Sequence, residues 1–102
     1  MIQVIVEIVT KPGQRDAYLK AFHDNVGAVH NEKGCIEYSA FVDIEGAGPP
    51  QVPYGPNTII VIEKWESGAD LRAHAKADHM TTYQAKVKDF IESRTIRLLA
   101  QA

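Results

Sequence analysis

The strands of this chain are apolar on both of their faces. From Ile2 to Thr10 the sequence IQVIVEIVT sets Ile2, Val4, Val6 and Ile8 on one side of an extended segment and Ile5 and Val9 on the other. Thr58 to Glu66 repeats the pattern, with Ile60 and Ile62 against Ile59, Val61 and Trp65. Alternate residues of a strand point to opposite faces, so near-continuous apolar character means that both faces leave water. A chain of 102 residues forms one domain, 1–102, with one modest core. Helices can cover one face of a sheet this small. A second copy of the same sheet is the simplest cover for the other, which predicts a homodimer packed sheet against sheet.

The remaining elements follow from changes of period. Lys11-Pro12-Gly13 ends the first strand, and from Gln14 to about Glu32 the residues Tyr18, Phe22, Asn25 or Val26, and Val29 recur at helical steps. Gly34 suits a stop, and Cys35 to Ile44 alternates again as a second strand. Glu45 to Asn57 holds four of the five prolines and three of the seven glycines, so it is an ordered loop or lid. The third strand, Thr58 to Glu66, leads to Ser67, an N-cap with Asp70 three residues on, and a short helix over Ala69 to Lys76. Asp78 is read as the cap of a second helical piece carrying Met80, Tyr83, Val87, Phe90 and Ile91, and Arg94 to Ala100 as the last strand. The order is β-α-β-β-α-β, the ferredoxin-like α+β pattern with an antiparallel sheet.

Charge and cysteine content narrow the function. Eleven basic against thirteen acidic residues, with neither sign in a long run, argue against a nucleic-acid partner. No apolar run approaches a membrane span, and the N-terminus has no basic leader, so no membrane partner is expected. Cys35 is the only cysteine, which excludes an internal disulfide and a multi-thiolate zinc site and fits a reducing, cytoplasmic setting. Dinucleotide, phosphate-loop, serine-hydrolase and haem-attachment motifs are all missing, so any chemistry works without an evident cofactor or metal.

The candidate acid and base groups near neutral pH are four histidines and a few tyrosines. His23 and His30, seven residues apart in the first helix, read as surface groups. His74 and His79 flank the break between the last helical pieces, with Tyr83 one turn beyond. Their five-residue spacing does not make a metal pair on one helix face. Either they are proton acceptors, or His79 packs at a helix start while His74 faces water. Glu63 lies on the apolar side of the third strand with Trp65, and a buried carboxylate needs a partner or a wet cavity. Glu7 is placed comparably in the first strand, on the side of Ile5 and Val9.

The stretch Ile62-Glu63-Lys64-Trp65-Glu66-Ser67, then Leu71, His74 and His79-Met80, resembles the signature of the antibiotic biosynthesis monooxygenase family, essentially end to end. Val4 to Gly13, Gly34-Cys35 and Ile96-Arg97-Leu98 look closest to its bacterial quinol monooxygenase branch. The resemblance implies a dimeric α/β barrel and the oxidation of a small aromatic substrate, a quinol or polyphenol, by O2 without metal, flavin or haem. It implies His79 or His74 as proton acceptor, Glu63 orienting a histidine or a substrate hydroxyl, and aromatic walls of Trp65 and Tyr83 with Phe22. Tyr54 on the proline-rich loop would close the mouth. Val61 stands where the anthrone-oxidising branch has an asparagine four residues before the tryptophan, and Val6-Glu7-Ile8 lacks the asparagine of the haem-degrading branch. Two alternatives remain open. One is an isomerase of small phosphorylated sugars using Arg72, Lys76 or Arg97, and the other a non-catalytic dimeric module binding an aromatic metabolite.

Overall fold

The structure is a computed structural model describing all 102 residues. Its elements are β1 (Ile2–Thr10), α1 (Arg15–His30), β2 (Cys35–Phe41), β3 (Thr58–Trp65), α2 (Gly68–Ala75), α3 (Asp78–Val87), a short 3-10 turn (Lys88–Phe90) and β4 (Ile91–Leu99). The strands form one antiparallel sheet in the order β2-β3-β1-β4, the ferredoxin-like arrangement. β1 is central, paired along its length with β3 (Val4 opposite Glu63, Val6 opposite Val61) and with β4 (Val4 opposite Leu98, Ile8 opposite Arg94).

All helices lie on one face. Val4, Val6 and Ile8 of β1 and Ile59, Val61 and Trp65 of β3 turn to that face and are buried, because alternate strand residues share a side. Tyr18, Ala21, Phe22 and Val29 of α1, and Met80, Tyr83 and Val87 of α3, complete the core at the three- and four-residue spacing of a helical stripe. The opposite face presents Ile5, Val9, Ile60 and Ile62, all half-buried, beside Phe41 and Leu99, which are 46% and 49% exposed.

Several boundaries differ from the sequence expectation. β2 stops at Phe41 instead of Ile44, since Asp43 turns to accept the backbone N–H groups of Tyr54 and Gly55 at 3.0 and 2.8 Å and gathers the proline-rich strap. Ile36 is not part of the alternating face: the pairing jumps from Cys35 to Glu37, leaving it in a bulge and exposed. Ile91 and Arg94 both belong to β4, which starts three residues early because the short turn after α3 returns the chain directly to the sheet. Ser67 caps α2 as its spacing predicts, accepting the Asp70 N–H at 3.1 Å. Asp78, by contrast, is the first residue inside α3, and the cap position is Ala77, whose side chain makes no bond. At Gly34 the backbone φ is +82° and an added Cβ would overlap the Asp70 side chain, so this turn demands glycine.

Candidate active site

Between the sheet and the helices lies an apolar cavity of about 620 Å³. Val4, Val6 and Val61 form its floor, Leu71 of α2 and Met80 of α3 contribute to its roof, and Ile96 and Leu98 of β4 line its open side. Polar groups interrupt this wall at few points: Glu63, His74, Tyr18, Tyr38, Tyr83, Gln84, Lys88 and Arg94. A concave apolar site with a few convergent polar groups is the usual form of a small-molecule site.

Glu63 reaches the cavity from β3 and is buried. One of its carboxylate oxygens, Oε1, accepts the indole N–H of Trp65 at 3.0 Å and stands 3.9 Å from His74 Nε2. Burial pushes the Glu63 carboxyl up from its ordinary range, while the Trp65 hydrogen bond and the His74 and Arg94 charges act the other way. His74 is the buried residue of α2, and its Nδ1 lies 2.7 Å from Glu32 Oε2 at the end of α1. A carboxylate on Nδ1 favours the tautomer with its proton there and leaves Nε2 as acceptor toward the cavity. The gap between Nε2 and Glu63 is too long for a hydrogen bond but wide enough for one hydroxyl oxygen to touch both groups.

The three tyrosines come from different elements. Tyr83 of α3 hydrogen-bonds to the hydroxyl of Tyr18 of α1, and Tyr38 of β2 stacks on Phe22 with ring centroids 5.0 Å apart. Burial raises all three phenols above their ordinary value, so they stay neutral; Tyr83 gives its proton to Tyr18, which leaves Tyr18 and Tyr38 as donors toward the cavity.

The structure therefore gathers Glu63, His74 and Tyr83 around one cavity, and sets the other sequence candidates apart. Trp65 is fully buried behind the wall, its ring 4.6 Å from His74, and Phe22 stands behind Tyr38 in the same way. His79 borders a separate small cleft between α1 and α3. Tyr54 lies on the exposed strap, away from the cavity lining. Glu7 faces the outer side of the sheet, opposite Ile60. Arg72, Lys76 and Arg97 are not in the cavity wall. Tyr18, Tyr38, Glu32 and Arg94 were not singled out in the sequence. A tyrosine in an otherwise apolar stripe is the one local signal for the first two, because a buried phenol needs a partner.

Comparison with known proteins agrees with this architecture. Residues 1–86 match the family model described as antibiotic biosynthesis monooxygenase. The chain is 42% identical over 101 residues to the Escherichia coli K12 protein named "Probable quinol monooxygenase YgiN", covering 97% of this chain and 96% of that one. A crystal structure of an antibiotic biosynthesis monooxygenase superposes with a TM-score of 0.82 at 24% identity, covering 100% of this chain and 99% of the other. A conserved protein from Methanosarcina mazei Go1 superposes with a TM-score of 0.84 at 18% identity, covering 99% and 92%. These two structures share the fold, and the sequence matches carry the relationship further: the chain belongs to the antibiotic biosynthesis monooxygenase family.

Proposed function

We propose that this protein is a monooxygenase that oxidises a quinol or polyphenol with O2 and needs no cofactor. The observation that carries the reading is the pairing of His74 Nε2 and Glu63 Oε1, 3.9 Å apart, on the wall of an otherwise apolar cavity. The near-full-length relative named for quinol oxidation supports the same class of substrate.

The chemistry balances without an outside reductant. A quinol converted to a hydroxyquinone gives up four electrons; one atom of O2 enters the ring and the other leaves as water. Removal of the hydroxyl proton makes the substrate a stronger reductant toward O2, so the protein must supply a base, an orientation and a dry site. His74 takes the proton on Nε2, held in the correct tautomer by Glu32. Glu63 accepts or returns a hydrogen bond on the other side of the same hydroxyl, Tyr18 and Tyr38 donate to the ring oxygens, and Arg94 faces the anion that forms. Trp65 and Phe22 act from behind, fixing Glu63 and Tyr38, and Tyr54 belongs to a strap that bounds the molecule's surface. A phosphorylated sugar is less well served, since the cavity wall is mainly apolar and lacks Arg72, Lys76 and Arg97.

The working unit is a homodimer of one-domain chains in the cytoplasm. The half-buried outer sheet face supports the sheet-to-sheet contact, and the lone Cys35 suits a reducing compartment. No helix of the chain is long and apolar enough to cross a membrane. Light scattering should give twice the chain mass of 11.3 kDa. Oxygen uptake with a panel of naphthohydroquinones and polyphenols, on metal-stripped protein, tests the activity. Uptake above autoxidation that falls by roughly 10²-fold or more in His74→Ala supports the reading; background rates across the panel would refute it.

A further inference from the structure

We infer that Glu32 and His79 form a proton path that leads from His74 in the cavity to the cleft between α1 and α3. The inference rests on the reading of His74 as the group that takes the substrate proton.

One carboxylate oxygen serves two imidazoles. Glu32 Oε2 is 2.7 Å from His74 Nδ1 and 3.4 Å from His79 Nε2. His74 faces the cavity, while His79 borders a cleft of about 230 Å³ together with Asp24, Asn25, Thr82 and Lys86. Both ring nitrogens of His79 are shielded from solvent and neither makes a hydrogen bond, since the contact to Glu32 is poorly aligned. Buried polar nitrogens are ordinarily paired. A small rotation of the ring would align Nε2 with Glu32, the carboxylate 3.4 Å away.

The transfer is a sequence of bond exchanges. The substrate O–H breaks as N–H forms on His74 Nε2, and the His74 Nδ1 proton passes to Glu32 Oε2. Glu32 passes it to His79 Nε2. The partly exposed ring, whose nitrogens are shielded at rest, must then swing toward the cleft before its Nδ1 proton passes to a water or buffer base there. No charge is left on the path. When the second oxygen atom leaves as water, protons return by the same route in reverse, and each imidazole recovers its starting tautomer. The route thus carries protons between the cavity and the cleft without passing through the cavity's open side.

His79→Phe and His79→Gln, the second nearly isosteric and unable to relay, test the path with two readouts, with His23→Phe as a surface control. In dilute buffer, oxygen uptake with a naphthohydroquinone should show kcat reduced by roughly 10²-fold with KM unchanged, and added imidazole should restore it. A loss that imidazole does not restore, or one carried in KM, would mean that His79 is structural and would overturn the path. Independently of turnover, NMR of the free protein reads exchange of the His74 Nδ1 proton with water. Slower exchange in both variants, and not in the control, supports the path; unchanged exchange overturns it whatever the kinetics. If no quinol is oxidised by wild type, the proposed activity fails while the exchange measurement still decides the path.

Discussion

Tyr83 on α3 donates its hydroxyl proton to the hydroxyl of Tyr18 on α1, joining positions 65 residues apart, and the two rings meet edge to face at 6.1 Å. The pair does two things. It fixes the spacing of the helices over the sheet, and it aims the remaining Tyr18 proton along the cavity wall.

The two phenols are not equivalent, and their removal should not be either. Tyr18→Phe strands the buried Tyr83 O–H without its acceptor, which should cost about 1–3 kcal/mol. Tyr83→Phe leaves Tyr18 free to turn toward the cavity and should cost only about 0.5–1.5 kcal/mol. Urea denaturation of both single variants and the double variant checks the order, with the double loss smaller than the sum of the two singles.

Glu63 should destabilise the fold at neutral pH. Its carboxyl is raised by burial, so the folded state holds that proton more tightly than the unfolded chain. The associated stability is full below the unfolded value of about 4.3 and is lost as pH rises through the higher folded value. Glu63→Gln keeps an acceptor for the Trp65 N–H and has no charge to bury. Its melting temperature should exceed that of wild type at pH 7, with the gap closing in acid, while oxygen uptake falls. A gap that widened toward acid would contradict the burial argument.

Glu32→Gln should damage turnover without damaging binding. An amide can offer its N–H₂ to His74 Nδ1 and force the opposite tautomer, removing the acceptor at Nε2. The expected loss is roughly 10²-fold in kcat with little change in KM. Nitrogen chemical shifts of the His74 ring would show whether the tautomer had changed.

Asp43 ties the proline-rich strap through the Gly55 and Tyr54 N–H groups, and these bonds, that of Gly55 foremost, hold its carboxyl below the ordinary value. The tie is intact above the unfolded value of about 3.9 and is lost as pH falls through the lower folded one. Limited proteolysis within residues 45–57 should therefore be faster in Asp43→Ala at neutral pH. The two proteins should converge in strong acid, which an acid-active protease would reveal.

The order of elements was legible because each change of period is local: the Ile2 to Thr10 alternation, the Tyr18, Phe22 and Val29 stripe, and the Ser67 cap are all encoded by near neighbours. Boundaries set by distant partners were not. β2 ends where Asp43 finds the strap eleven residues on, and the start of β4 depends on the turn that precedes it. The site divides in the same way. Glu63 was visible as a carboxylate among apolar strand residues, and His74 and Tyr83 from their grouping at a helix break. Tyr18 and Tyr38 were hidden because a cavity wall and a packed core have the same periodicity. Glu32 lies 42 residues from His74, and Arg94 gains its meaning only once the register sets it opposite Ile8.

β4 is an edge strand, and its residues Ile96 and Leu98 edge the cavity while carrying none of the acid or base groups. The shape of the opening and the proposed chemistry are thus written on separate parts of the chain. Drift at these two positions of the last strand can retune which molecules are admitted while the His74 and Glu63 pair stays in place. A scaffold divided in this way is suited to spawning sister enzymes from duplicated copies.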